Sequence, residues 1–486
     1  MNIGIDLQTL ETPEAQRGIG RYAAGLAAHL ARTFPQHRVV GFGFTDRPQD
    51  TLDFGDLENF EYRRFELPHD GRPYLAAGIL APLGWAPRLR DLDVYIVTSP
   101  LMLDILLPDG GPFPIVSLFH DLIPLHYRKS HPEMMSGQQW SLYDDRLEVV
   151  KTYDFHLSNS ESTRKDVSQR LGIGVDRIRA IGVGVDERLF ASPPETIHDA
   201  VRERYGIGSP YVLSITGHNC SKNWEAVFQT FAALPARNRK RHQLVVVCRL
   251  DAQSRHVFQT LAQRCGIAAQ TVLTDAVDDE TLVALYQGAS ALLAPSHVEG
   301  FGMPLIEAMA AGAPIVASDI PVFHEIAGEA ARFANPARPD LLAQELHAVL
   351  SGGELRQRLV EAGRRRVEAY RWPRVVERAE SLLRRAVELG ACGKAVRCRT
   401  DTDEHGRTRT STDAPAASAS PISRRCRRRS RASPTTMKRS SANWPATRTS
   451  NCSWTISSRR IRRSATPSPG ARRATSRAGT ARARTT

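Results

Sequence analysis

Two series of short apolar runs, each run separated from the next by a segment of helical period, predict an α/β chain with two doubly wound parallel-sheet domains. A polar, proline-containing stretch at 191–209 divides the two series, and the composition changes abruptly near Gly390. The expected organisation is a first domain at 1–190, a linker at 191–209, a second domain at 210–370, a last helix within 371–390 and a disordered basic tail at 391–486.

The elements of the first series follow in order. Met1–Ile5 enters directly as a strand, and Ile19, Tyr22, Ala23, Leu26 and Leu30 fall at helical spacing. Val39–Phe44, Val94–Thr98, Ile115–Phe119, Phe155–Ser158 and Ile178–Gly182 read as further strands. The second series has strands at Tyr211–Ile215, Leu244–Val247, Thr271–Leu273, Ala291–Leu293 and Ile315–Ala317. Helical patterns lie between and after them at 224–234, 254–265, 280–288, 304–311, 338–350 and 373–389. Alternation of this kind puts the functional edge of each domain at the strand C-termini.

The net charge of +13 suggests a nucleic-acid binder, but the charge is unevenly spread. Residues 391–486 carry a net +19, while 1–390 carry a net −6. The tail is rich in Arg, Ser, Thr, Ala and Pro, without periodicity, and has too few apolar residues to offset ordering entropy. Nonspecific nucleic-acid or anionic-lipid binding would belong to that tail alone. Seven cysteines show neither metal-ligand spacing nor a disulfide framework. The start of the chain has no signal-peptide pattern, and the longest apolar candidate, Leu75 to Pro87, is too short and broken to span a membrane. The expected setting is cytoplasmic.

Chemistry concentrates after the strands. Glu299 lies in a Gly-rich turn behind the apolar run Ala289–Ala294, and Glu307 follows eight positions later. Pro304 suits the start of a helix and Gly312 the residue past its end, so Glu307 sits about one turn into a short helix. A helix N-terminus attracts anions and carboxylates accept from sugar and ribose hydroxyls, so such a place can hold a nucleotide-sugar; an ordinary turn with two solvated glutamates is the alternative. Earlier, Gln16-Arg-Gly18-Ile-Gly20-Arg-Tyr22 opens the first helix with two glycines that permit close backbone approach, or merely a turn. His120 emerges at the end of the strand Ile115–Phe119.

Glu299-Gly-Phe-Gly-Met-Pro304, followed by Glu307-Ala-Met-Ala-Ala-Gly-Ala-Pro-Ile-Val-Ala-Ser318, closely resembles the donor-binding signature of retaining glycosyltransferases of the two-domain GT-B fold. In particular it is similar to the large family that includes bacterial mannosyltransferases of O-antigen and exopolysaccharide assembly. Gly18-Ile-Gly-Arg-Tyr22, His120-Asp-Leu-Ile-Pro-Leu125, Leu157 to Lys165 and Ile181 to Asp186 agree with that family in order. The resemblance covers residues 1 to about 390 and implies two facing Rossmann-like domains, the first on the acceptor side and the second holding the donor. The last helix would return to pack on the first domain.

It also implies roles. Glu299 would hold sugar hydroxyls and Glu307 the ribose, His120 would lie beside the transferred sugar, and Lys222 would contact the diphosphate. Gly18 and Gly20 would let backbone approach that diphosphate, with Gly217, Gly300, Phe301, Gly302 and Met303 completing the donor site. The donor expected is GDP-mannose, with UDP- or dTDP-sugars as alternatives. No cofactor or metal is expected, and the acceptor would be a glycan, often lipid-linked, reached by peripheral contact with the inner membrane face. One residue departs from the pattern: Ser221 stands where the family usually carries Arg beside Lys222, with Arg249 as a candidate substitute. That departure also fits a non-catalytic binding module of the same fold. The loops at about 65–90 and 124–150 are expected to set acceptor and donor specificity.

Overall fold

The computed structural model describes residues 1–15, 18–44, 54, 57–65, 79–80, 89–108, 110–191, 195–208 and 210–403, the stretch 391–403 by its backbone alone. The first sheet contains β1 (Asn2–Asp6), β2 (Arg38–Phe44), β3 (Phe60–Phe65), β5 (Val94–Val97), β7 (Ile115–Phe119), β8 (Phe155–Ser158) and β9 (Ile178–Ala180). Its strand order is β3-β2-β1-β5-β7-β8-β9, parallel throughout. Two short strands, β4 (Ile79–Leu80) and β6 (Leu107–Pro108), pair beside it. The second sheet contains β10 (Tyr211–Ile215), β11 (Gln243–Val247), β12 (Thr271–Leu273), β13 (Ala291–Ala294), β14 (Ile315–Ser318) and β15 (Ala331–Ala334). Its order is β12-β11-β10-β13-β14-β15, again parallel. Central strands such as Ile115–Phe119 and Ala291–Ala294 are buried along their whole length, which is why they read as unbroken apolar runs.

Helices join the strands in right order for two doubly wound domains: α1 (Gly18–Thr33), α2 (Ile123–Tyr127), α3 (Gly137–Lys151) and α4 (Glu161–Leu171) in the first. Then come α5 (Glu195–Tyr205), α6 (Trp224–Ala233), α7 (Ala236–Arg241), α8 (Ala252–Arg264), α9 (Asp279–Gln287), α10 (Met303–Ala311), α11 (Pro321–Ala327), α12 (Pro339–Ser351), α13 (Gly353–Val367) and α14 (Trp372–Asp403). The two GT-B-like halves expected from sequence are therefore present, and the strand cores lie within a residue or two of their predicted places.

Three expectations change. The stretch 191–209 is not only a linker, because it contains α5. That helix carries a narrow apolar stripe of Ile197, buried Val201 and Tyr205, which packs on the core beside α9 while a charged face meets solvent. The closing helix runs to Asp403, beyond the expected end at 390, and the remainder of the predicted tail, 404–486, lies outside the described residues. Most of the loop at 65–90 also lies outside them, whereas 124–150 is ordered as α2 and α3.

The return of α14 to the first domain is held by Trp372. Its indole stacks on His29 of α1 at 5.0 Å and lies 5.9 Å from the Tyr22 ring. Gly25 in α1 and Gly184 leave it room, since a Cβ at either would fall 2.1 and 2.0 Å from the indole. The Val185 N–H donates to the Tyr370 carbonyl at 2.9 Å, tying the end of the first domain to the start of α14. One apolar cluster runs from Leu26 and Tyr22 through Trp372 and Val376 to Leu305 and Tyr286, so the halves share a buried seam.

Candidate functional site

The second-domain wall is built from the ends of β10 and β13. After β10 the chain passes Gly217 into the short turn of 3-10 helix Cys220–Lys222, capped by Asn219, whose Oδ1 accepts the Lys222 N–H at 3.1 Å and the Ser221 hydroxyl at 2.8 Å. Asn223 takes a left-handed conformation, φ 49°, and its amide donates to the Pro295 and Pro336 carbonyls. The Ser221 carbonyl accepts the His297 N–H at 2.8 Å. The β10 loop and the β13 loop are thereby stitched into one rigid edge.

On that edge Lys222 Nζ meets Glu299 Oε1 at 2.7 Å, and Ser296 donates its hydroxyl to the same oxygen at 2.8 Å. Glu299 is nearly buried, with 11% of its side chain exposed, which favours a single orientation. Gly302 caps α10 with φ 102°, a conformation open to glycine, and Gly312 ends it at φ 75°. Partway along α10, Glu307 Oε2 accepts the Tyr286 hydroxyl at 2.5 Å, and burial raises its carboxyl pKa.

The first-domain wall comes from β7, α1 and α4. His120 Nε2–H donates to the Thr98 carbonyl at 2.7 Å, which fixes the tautomer and leaves Nδ1 as an acceptor. Burial lowers its pKa to about 4, so the ring is neutral near pH 7. Tyr22 sets its ring edge-on to His120 at 5.6 Å and donates its hydroxyl to the Gly182 carbonyl. Asp121 accepts the Ile123 N–H at 2.9 Å and so orients the start of α2, while burial raises its carboxyl pKa.

These walls face each other closely. A Cβ at Gly300 would fall 1.9 Å from the His120 carbonyl oxygen, and one at Gly18 would fall 3.1 Å from Met303 Sδ. Gly300 thus packs on His120, Gly18 approaches Met303 and Lys222 pairs with Glu299, while Glu307 is held apart on Tyr286 and only Glu299 of the expected site residues lines the cavity described below. Two expected residues also have packing roles. Gly20 is needed because a Cβ there would strike the Ala15 and Glu14 carbonyls at 2.3 and 2.5 Å, so its smallness serves the preceding loop. The Phe301 ring is buried edge-on to Tyr370 at 5.6 Å, which leaves only its backbone to line the crevice. Ser221 is buried with its hydroxyl committed to Asn219, and Arg249 is exposed just past β11.

Sequence reasoning passed over three groups. Arg21, inside the quoted Gly-Ile-Gly-Arg-Tyr segment, pairs with Asp279 of the second domain and partly offsets the rise that burial causes in the Glu307 pKa. Tyr286 anchors Glu307, and its place inside a plain helical pattern offered no signal. Ser160, Thr163 and Glu325 make contacts across the crevice. A cavity of about 490 Å³ opens between the domains beside Glu299, lined also by Asp121, His126, Lys165, His297 and Glu325. Among the described residues no cluster of three or more His, Cys, Asp or Glu is arranged to hold a metal, and no helix is long and apolar enough to cross a membrane.

Comparison with known proteins agrees with this fold. The Glycosyltransferase Family 4 model matches residues 16–189 and the Glycosyl transferases group 1 model matches 199–366. The serotype-specific mannosyltransferase WbdA of Escherichia coli is 25% identical over 364 residues, 69% of this chain. The chain spans only 42% of that relative's length. The O-antigen chain mannosyltransferase B of Escherichia coli is 25% identical over 362 residues, covering 73% of this chain and 92% of the relative. Among solved structures, Anabaena Alr3699/HepE in complex with UDP-glucose superposes with a TM-score of 0.60 at 16% identity, over 79% of this chain and 99% of that one. WaaG, a glycosyltransferase involved in lipopolysaccharide biosynthesis, superposes with a TM-score of 0.57 at 16% identity, over 78% and 99%. At such identities the structural likeness concerns the fold.

Proposed function

We propose, from the premise that this chain belongs to the group 1 glycosyltransferases of GT-B fold, that it is a retaining enzyme that moves a sugar from a nucleotide-sugar to a glycan or lipid-linked glycan. Mannose from GDP-mannose is the donor we favour, because the relatives named mannosyltransferases align along most of the chain. One observation carries the reading. Lys222 and Glu299 form an ion pair on a second-domain loop whose Gly300 packs against the His120 carbonyl of the first domain.

Departure of a nucleoside diphosphate develops negative charge on phosphate and oxocarbenium character on the sugar. Lys222, which rests on Glu299 in this structure, supplies a cation for the phosphate, and the N-terminus of α10 adds the positive end of a helix dipole. Glu299 accepts from sugar hydroxyls and Glu307 from ribose hydroxyls. Neutral His120 accepts at Nδ1, so it positions the sugar instead of giving it a proton. The acceptor hydroxyl attacks on the leaving-group face and passes its proton to the departing phosphate. The step as we write it uses no metal ion, and the reaction is assigned to the cytoplasm, at the inner membrane face where the acceptor is lipid-linked.

A thermal-shift screen of GDP-mannose, UDP-glucose and dTDP-glucose, followed by transfer assays, tests this, because a ligand that binds only the folded state raises its apparent stability. GDP-mannose stabilisation with transfer is expected. Stabilisation and transfer by a UDP-sugar would move the donor assignment, and an absence of stabilisation by any sugar nucleotide would sink it. Ser221, where a second cation is usual, favours one rival: stabilisation without transfer would mark a binding module.

A further inference from the structure

The N-terminus of α4 belongs to the first domain, yet its side chains and backbone reach the second-domain loop that carries Glu299. The Ser160 hydroxyl donates to the Gly300 carbonyl at 2.7 Å, and the Thr163 hydroxyl donates to the same oxygen at 2.9 Å. Ser160 Oγ also accepts the Thr163 N–H at 2.9 Å, so one hydroxyl caps its own helix and grips the opposite domain. Both residues are buried. From α11 of the second domain, Glu325 reaches back: Oε1 accepts the Glu161 N–H at 2.7 Å and Oε2 the Ser162 N–H at 2.8 Å. Asn159 holds the neighbouring His120 carbonyl at 2.8 Å, against which Gly300 packs.

We propose that Ser160, Thr163 and Glu325 form a cross-domain latch that positions the Glu299 loop: two hydroxyls from the first domain fix the Gly300 peptide, and a carboxylate from the second holds their helix in place. The carbonyl they grip is that of Gly300, in the Gly300–Phe301 peptide and one residue past Glu299, so a shift of Gly300 moves that carboxylate relative to His120. The hydroxyls are the smallest groups that can donate here, and a glycine is required opposite them because any Cβ at 300 would strike His120. Closing the domains and placing the sugar-binding carboxylate are then a single event. These are positioning residues that act through Glu299, and the catalytic part of the inference rests on the transfer reading above.

The test uses the full chain and three changes. Ser160→Asp keeps a helix cap but cannot donate, Thr163→Val keeps the shape without the hydroxyl, and Glu325→Ala removes the carboxylate. Thr163→Ser is the rescue variant. Amide hydrogen exchange should show faster exchange at Glu161 and Ser162 in Glu325→Ala, and faster exchange across 299–302 in Ser160→Asp/Thr163→Val. Transfer assays should show kcat lowered at least tenfold in both, donor KM changed less than threefold, and Thr163→Ser near the parent. Unaltered exchange, or turnover within twofold of the parent in both variants, would overturn the latch. A parent protein that binds no sugar nucleotide would instead defeat the transfer reading, and the exchange data would still decide whether the latch exists.

Discussion

Glu299 and Glu307 share a motif but sit in different surroundings, and this separates their expected effects. Glu299 is shared between Lys222 and Ser296, and in the proposed reaction it sits at the reacting end, where its contacts would strengthen as charge develops. Glu299→Ala should lower kcat by roughly 10- to 100-fold, as expected for losing a hydrogen bond to a charged group, with little change in donor affinity. Glu307→Ala should instead weaken donor binding; steady-state kinetics with calorimetric donor titration distinguishes the two, and unchanged values for both would remove them from the site. Asp6 offers a pH test. It is 1% exposed, its Oδ1 accepts the Gln8 N–H at 3.0 Å, and burial raises its pKa to about 7. A carboxyl whose folded pKa lies above its unfolded value contributes stability that is complete below the unfolded pKa, 3.8, and is lost as pH rises through about 7. Asp6→Asn should therefore gain melting temperature relative to the parent between pH 5 and pH 8, and a constant difference across that range would contradict the assignment. Glu299, Lys222 and His120 were legible because each follows a strand in a recognisable local motif, and Glu307 because it sits in the helix that continues the Glu299 motif. Arg21, Tyr286 and Ser160 were not, because each gains its meaning from a partner in a distant segment: Ser160 and Gly300 are 140 residues apart.

Elements were legible where a single period ran unopposed. Strands such as Phe155–Ser158 are buried on both faces and read directly, whereas α5 was hidden by its polarity: Ile197, Val201 and Tyr205 form one thin stripe among charges. The edge strands β3 and β15 were missed for a related reason, since Arg63, Arg64 and Arg332 break their apolar runs. Helix α1 shows the opposite conflict. Gly25 in its interior costs about 1 kcal/mol relative to alanine by helix propensity alone. Its value lies in the Trp372 indole, which comes within 2.1 Å of where a Cβ would be. Gly25→Ala is therefore expected to destabilise by about 1–3 kcal/mol, as overpacking does, despite the propensity gain. Chemical denaturation checks this, and a neutral or stabilising result would mean that α14 does not close onto α1 as described.

At the scale of the whole molecule the two sheets, the crevice and the closing helix all lie before residue 404. A chain ending at Asp403 is expected to retain donor binding and transfer within about twofold of the full chain; loss of either on truncation would give 404–486 a part in the reaction. The sequence by itself determined the two alternating halves and the residue types gathered at the strand ends. Periodicity, glycine and proline placement and strand-end motifs act over a few residues, so they survive in a one-dimensional reading. The tertiary structure alone decided how the halves face each other: Trp372 settling into the space left by Gly25 and Gly184, Arg21 meeting Asp279, and α4 gripping the Gly300 carbonyl while Glu325 holds α4. Those contacts join segments that are far apart in the chain, and their strength depends on burial and exact approach, which no local pattern carries.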